Sequence, residues 1–356
     1  MIWLIIAFVL LLLFALEKLW ANVAVKKLHF KNKSSKVLVE PGQPFEWFAV
    51  MENRGRIPIP FLRLQQTFPE QAKLIADTRW IETHCQWGIY QWHIEEKLAL
   101  GSLCRNTRSV KLKIDRRGEY RLGDWRLSVG DILGLQEKYI DGNGKTVVVM
   151  PQKTEDRKAI QAVSGFLGDV SVRRFILEDP ILTVGFRDYT GREPFKSVSW
   201  TRTAMTGSLQ VKQYDHTAEQ NVVILLNLEG GLADQCEKCF RLMRMACEQL
   251  EKKKIPFGFR TNGNLPGPVG KLFSMPDGLG ESHLTKILYA LGRADYTCYY
   301  SFETLVKQTL RSKKNNESYI VITPTVTQQT EGLIRKLEAD CGNRICVLSG
   351  DGEGMA

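Results

Sequence analysis

NVVILLNL, residues 221 to 228, is a continuous apolar run of strand length with no polar alternation, the pattern of a strand covered on both faces. The stretch that follows, 232 to 254, changes period: Leu232, Cys236, Cys239, Phe240, Met243, Ala246, Cys247 and Leu250 recur at helical spacing. Further on, the chain reads as a strand over 255–261, helices over 281–292 and 301–311, a strand over 318–323, a helix over 327–341 and a strand over 344–349. Strands that alternate with helices imply a mainly parallel sheet covered on both faces, here an α/β, Rossmann-like domain over 160–356.

Ahead of Pro151 the period is two. Phe45, Trp47, Ala49 and Met51 alternate with Glu46, Phe48, Val50 and Glu52, and Pro41-Gly42 and Asn53-Arg54-Gly55 punctuate the runs. Further strands are expected near 92–100, 108–115, 119–128 and 145–150, with Trp80, Trp87, Trp92 and Trp125 supplying bulk. The expectation is an all-β, immunoglobulin-like sandwich over 37–151, which makes the whole an α+β chain of two domains.

The first sixteen residues, MIWLIIAFVLLLLFAL, hold no charged side chain and as a helix reach about 24 Å of a ~30 Å hydrocarbon layer. Lys18 can snorkel while Leu19, Trp20, Ala21 and the segment from Val23 to Val25 extend the apolar face, so residues 1–25 read as a transmembrane anchor. A cleaved signal peptide is the rival reading, but a basic leading region and an A-x-A-like site are both missing. Lys18, Lys26, Lys27, Lys31, Lys33 and Lys36 follow the apolar run, which places the bulk of a single-pass cell-membrane protein on the cytoplasmic side. The eight cysteines show no compact disulfide framework, in keeping with that side.

The 356 residues are 44% hydrophobic and 25% charged, a globular balance, and the net charge of +10 favours an anionic neighbour. The lysine cluster beside the anchor points to a lipid surface. A nucleic-acid reading would use Arg187, Arg192, Lys196, Arg202 and Lys212 with Tyr189 and Trp200, but Asp188, Glu193 and Asp215 interrupt that stripe, so no nucleic acid is expected.

Three stretches then carry a resemblance: VEPGQPFEWFAVMENRGRIPIPFLRLQQTFP (39–69), DRRGEYRLGDWRLSVGDILGL (115–135) and EDPILTVGFRDYTGREPFKSVSWTRTAMTGSLQVKQYD (178–215). In that order they resemble the domain-of-unknown-function fifty-eight family, membrane-anchored bacterial proteins with a von Willebrand A-like domain, often encoded beside MoxR-type AAA+ ATPases. The resemblance implies no established reaction; it implies an association with MoxR-type ATPases and, in some neighbourhoods, transglutaminase-like membrane proteins. Its motif falls on Arg187, Tyr189, Glu193, Lys196, Trp200, Arg202 and Lys212, with Arg192-Glu193 standing where family members usually have Gly-Asp. The residues of that motif alone suggest turns at Thr190-Gly191 and Glu193-Pro194. They also suggest Val198 and Trp200 leading inward at period two, and two arginines that could pair an acid or stack on an aromatic ring.

A von Willebrand A domain holds Mg²⁺ with Asp-x-Ser-x-Ser, because a hard cation wants a carboxylate and hydroxyl oxygens. The corresponding residues here are Asn227-Leu228-Glu229-Gly230-Gly231, with the leading charge and both hydroxyls gone. This loop, carried by Asn227, Glu229 and Gly231, is expected to be empty, and no other cofactor is implied. Cys236 and Cys239 form a C-x₂-C inside a predicted apolar helix face, without a second ligand pair, and read as buried core; Cys341 and Cys346 read the same way. The chain has no G-x-x-x-x-G-K-[ST], and its five histidines, His29, His84, His93, His216 and His283, stand in no nucleophile signature. The expectation is a non-enzymatic membrane scaffold or adaptor. The alternative is a membrane-associated hydrolase or transferase whose Ser/Cys-His site assembles only in space.

Overall fold

The computed structural model describes residues 25–75, 81–86, 89–130, 137–176, 183–214, 221–265, 272–314, 317–341 and 345–351, together with Trp3 and Phe8. The anchor expected over 1–25 lies outside the described residues apart from Trp3, Phe8 and Val25. Trp3 and Phe8 are helical and 82% and 67% exposed. Among the described residues no helix is long and apolar enough to cross a membrane. The chain divides into two units, Met1–Gln152 and Lys153–Ala356.

The first unit is a β-sandwich. One antiparallel sheet has the order β1 (Leu28–Ser34), β3 (Phe45–Asn53), β8 (Arg105–Ile114), β5 (Ala72–Ile75). The other has the order β11 (Glu137–Gly142), β10 (Asp124–Gly130), β4 (Ile59–Pro69), β7 (Ile89–Leu100), β6 (Ile81–Gln86). A third sheet of β2 (Leu38–Val39), β12 (Lys145–Val149) and β9 (Gly118–Leu122) adds Val39, Leu122, Val147 and Val149 to the core around Phe45, Trp47, Phe68 and Trp92. The period-two reading holds: Phe45, Trp47, Ala49 and Met51 are buried, and Ala49 and Met51 join a second cluster with Leu62, Leu64, Leu127 and Val129.

Two boundaries differ from expectation. The sandwich begins at Leu28 rather than 37, because β1 turns Leu28 and Asn32 inward while His29, Lys31 and Lys33 stay exposed. Asn32 is a polar residue at a core position. Its Nδ2 donates to Gly123 O (2.6 Å) and its Oδ1 accepts from Gln66 Nε2 (2.8 Å), so the burial leaves neither end orphaned. The strand expected over 119–128 breaks at Gly123, where β9 ends and β10 begins in another sheet. Gly123 has φ 68°, and a Cβ there would lie 2.4 Å from Trp47 Cζ2, so only glycine lets the chain cross beside that indole.

The second unit is built on the sheet order β17 (Phe273–Gly278), β16 (Phe257–Thr261), β15 (Asn221–Leu226), β18 (Glu317–Thr323), β19 (Ile345–Ser349). The last four strands are parallel, and β17 is an antiparallel edge. Its helices are α1 (Arg157–Ile176), α2 (Trp200–Thr206), α3 (Ala233–Lys252), α4 (Glu281–Arg293), α5 (Phe302–Arg311) and α6 (Gln328–Cys341). Val223, Leu225, Tyr319 and Val321 form one sheet face, packed on Phe302, Leu305 and Val306 of α5 and Ile334 and Leu337 of α6. Helices α1 and α4 pack on α3, and α3 on the sheet. The chain leaves central β15 through α3 toward β16 on one side, and β18 through α6 toward β19 on the other. The order therefore reverses between β15 and β18, at their carboxyl ends.

Helix α1, which starts the unit ahead of residue 160, went unread in the sequence. Asp156 caps it by accepting from the amides of Lys158 (3.0 Å) and Ala159 (3.2 Å), and its buried face is Ala159, Val163, Leu167 and Val170.

Candidate functional site

Open α/β sheets place their crevice where the strand order reverses, which here is the loop after β15. Asn227 opens that loop with no exposed surface. Its Oδ1 accepts from the backbone amide of Glu229 (3.0 Å) and from Asn262 Nδ2 (2.7 Å), while its Nδ2 donates to Thr323 Oγ1 (3.1 Å). Asn262 Oδ1 in turn accepts from the Leu228 amide (2.9 Å), and the Thr323 hydroxyl donates to Thr325 O (3.0 Å). The ends of β16, β15 and β18 are thus laced together by neutral amides and a hydroxyl. The amides and the hydroxyl are spent on one another and on the backbone, a structural use of this loop.

Glu229 is exposed, and its Oε2 accepts from the backbone amide of Phe302 (2.6 Å), so its charge serves the amino terminus of α5. Gly231 cannot be exchanged for a hydroxyl residue without movement: a Cβ there would lie 2.6 Å from Pro324 Cγ and 2.7 Å from Cys236 Sγ. Among the described residues no three His, Cys, Asp or Glu side chains gather as a metal-binding group.

The motif residues form a separate piece of structure. β13 (Thr183–Asp188) pairs antiparallel with β14 (Gln210–Tyr214), setting Phe186 opposite Lys212 and Arg187 opposite Val211; a short 3₁₀ turn (Phe195–Ser197) and α2 lie between the two strands in sequence. Arg187 Nη1 meets Glu193 Oε1 at 2.6 Å, and the Thr190 hydroxyl (2.8 Å) and amide (3.1 Å) donate to the same carboxylate. The Thr190 hydroxyl first, then its amide and the Arg187 guanidinium, hold the Glu193 carboxyl down to about 2. Arg202 lies over the Phe186 ring at 5.0 Å, and Tyr189 and Phe195 are 5.6 Å apart. Gly207, at φ 72°, ends α2 in the left-handed conformation.

Val198 is buried and bridges to Val211, as the period-two reading asked. Trp200 departs from it, because the chain turns into α2 at that residue and leaves the indole 63% exposed. Phe195 (64%) and Met205 (73%) are exposed too, with Phe186 (39%) and Leu209 (38%) partly so. Lys196 is exposed and Lys212 half-buried. Phe186, Phe195, Met205 and Leu209 were missed in the sequence, although large apolar residues in a stretch so dense in Gly, Pro and charge are themselves a signal.

Cys236 and Cys239 are buried on α3, and burial pushes the Cys239 thiol far above its usual range; Cys247 behaves alike, and burial lifts Cys346 to about 12. Cys341 is the last residue of α6, and its side chain lies outside the described residues. His283 Nε2 is bonded to Phe257 O (2.9 Å) and its ring meets Phe257 edge-on, whereas His93 Nδ1 pairs with the Thr67 hydroxyl (2.8 Å) across β4 and β7. His216 and the side chain of His84 lie outside the described residues.

No family model matches the chain. No curated protein matches it. Among solved structures it is similar to the CARDB domain of the PF1109 protein from Pyrococcus furiosus, at 16% identity and a TM-score of 0.22, covering 34% of this chain and 91% of that one. A cohesin module of a family 33 glycoside hydrolase from Clostridium perfringens gives 12% identity and a TM-score of 0.23 over 34% of this chain and 96% of that one. A non-cellulosomal cohesin from Archaeoglobus fulgidus gives 13% and 0.20 over 38% and 96%.

Proposed function

We propose that the chain is a non-enzymatic, single-pass membrane scaffold or adaptor of the domain-of-unknown-function fifty-eight type, with its bulk in the cytoplasm. Its two units are read as an immunoglobulin-like sandwich and a von Willebrand A-like domain with an empty metal loop. Supporting the second reading is the strand order of the five-stranded sheet, with its third strand in chain order, β17, as an antiparallel edge and its fourth and fifth, β18 and β19, beyond the switch point. Supporting the empty loop is the engagement of Asn227 on both polar ends and of Glu229 at α5.

One observation carries the function. The hairpin from β13 to β14 exposes Phe195, Trp200 and Met205 while its own Arg187 and Glu193 neutralise each other, so the segment offers apolar surface on a frame braced from within. That is the make-up of a docking surface. The partner proposed is a MoxR-type AAA+ ATPase, which would supply the nucleotide chemistry absent from this sequence, in assembly or remodelling of cell-envelope components.

The test is affinity purification from native membranes of the intact chain and of a Trp200→Ala/Met205→Ala variant. An ATPase should enrich with the first and fall at least tenfold with the second. If no ATPase enriches, or if the variant retains the same partners, the adaptor reading fails. Protease digestion of sealed vesicles checks sidedness, which decides whether a cytoplasmic ATPase can reach the hairpin.

A further inference from the structure

The outer face of the sheet β1-β3-β8-β5 joins basic residues that the sequence keeps far apart. Strand β3 sends Phe45, Trp47, Ala49 and Met51 into the sandwich, so Glu46, Phe48, Val50 and Glu52 lie on the other side of the sheet. Register then fixes their neighbours. Lys33 of β1 and Ser109 of β8 flank Phe48, Lys31 and Thr107 flank Val50, and Lys111 lies beside Glu46. On the far strand Lys73 is opposite Lys113. Lys31, Lys33, Lys73 and Lys111 are all exposed.

The face therefore has a short apolar centre, the half-buried Phe48 and the buried Val50, with exposed lysines on both flanking strands. Three acids share the face: Asp115 lies 2.8 Å from Lys73 and 3.1 Å from Lys113, Glu52 lies 3.0 Å from Arg54, and Glu46 is exposed opposite Lys111 in register. Strand β1 begins at Leu28, three residues after Val25, where the apolar amino-terminal segment ends. A sheet that starts so close to that segment has little chain with which to stand away from any bilayer holding it.

We infer that this face is a contact surface for an anionic phospholipid leaflet. The lysines meet the headgroup charge, and they do so as a rigid array spanning three strands rather than as a flexible tail. The inference rests on the anchored reading above, and it adds a surface and a lipid charge class to it. A hydrophobic segment alone would hold the chain to any bilayer; the sheet face would make its lie depend on lipid charge.

The experiment is lysine acetylation footprinting of the full chain reconstituted in phosphatidylcholine vesicles, with or without ~30% phosphatidylglycerol, read by mass spectrometry after flotation. At low salt, Lys31, Lys33 and Lys111 should react at least threefold more slowly in the phosphatidylglycerol vesicles. Lys97 and Lys145 should keep their rates, and high salt should abolish the difference. A chain that floats with both vesicles but shows no selective protection overturns the face and leaves the anchor standing. A chain that floats with neither overturns both readings. Equal protection in the two lipids, or protection by an RNA homopolymer with none from the vesicles, overturns the anionic-leaflet assignment.

Discussion

Asn262 Nδ2 lies 2.7 Å from Asn227 Oδ1, joining the ends of β16 and β15 between two side chains that are both buried. The same oxygen receives the Glu229 amide, so one neutral carbonyl organises the loop at the switch point of the sheet. Removing it should be costly, since a buried donor left without a partner loses about 1–3 kcal/mol. Asn227→Ala is expected to lower the stability of the second unit by that amount, measured as a shift in its urea midpoint at unchanged slope. A loss below ~0.5 kcal/mol, the range of ordinary surface changes, would show that the network does not hold the loop.

The Glu193 carboxylate gives the hairpin a pH signature. Its folded value is depressed from 4.5 to about 2, so its contribution is complete above about 4.5 and disappears as the pH falls toward 2. The Thr190 amide, which donates to it, reports the event directly. In an NMR titration that amide should shift with a midpoint near 2, and the step should vanish in Glu193→Gln. A midpoint near 4.5 would mean that Thr190 and Arg187 do not hold the carboxylate in solution.

What the sequence revealed and what it hid divide along physical lines. The apolar run from Val222 to Leu226 and the alternation through Phe45, Trp47, Ala49 and Met51 were legible because burial on both faces, or on one, leaves a direct mark on residue type. Strand β1 was not, since its inward Asn32 is polar and owes its place to Gly123 and Gln66, distant in sequence. The break at Gly123 depends on Trp47 approaching it, a tertiary fact without a local pattern. At the candidate site, Asn227 and Glu229 were identifiable, but their partners Asn262, Thr323 and Phe302 come from other parts of the chain. Trp200 was misread because two apolar residues at period two do not tell a strand from the first turn of a helix.

Thiol reactivity should separate the cysteines by burial. Cys104 is exposed, whereas burial raises Cys239, Cys247 and Cys346, leaving almost no thiolate at pH 8. Iodoacetamide at that pH should label Cys104 within minutes and the three buried thiols only as fast as the second unit opens. Peptide mass spectrometry reads both rates. Rapid labelling of Cys239 in the native chain would mean that the helix face carrying the C-x₂-C is accessible, and would reopen its metal-binding reading.

Two glycines should respond to alanine with opposite signs. Gly165 sits inside α1, exposed and with nothing within 4 Å of where a Cβ would be built, so alanine adds no clash and removes the backbone entropy that glycine loses on entering a helix. Gly165→Ala should stabilise the second unit by about 0.5–1 kcal/mol. At Gly144, which precedes β12, a Cβ would lie 2.1 Å from Leu122 O and 2.9 Å from Asp124 N. Both are main-chain atoms, which cannot swing aside as a side-chain end can. The Gly144 amide also donates to Asp124 Oδ1 (2.6 Å), so relief of the clash would strain that bond and the β12–β9 pairing. Gly144→Ala should destabilise the sandwich by about 1–3 kcal/mol or more, the range for a forced overlap. Differential scanning calorimetry of the two variants should move transitions in opposite directions, by about 2–4 °C per kcal/mol for units of this size. A neutral Gly144→Ala would show that the turn ahead of β12 is looser than its contacts with Leu122 and Asp124 require.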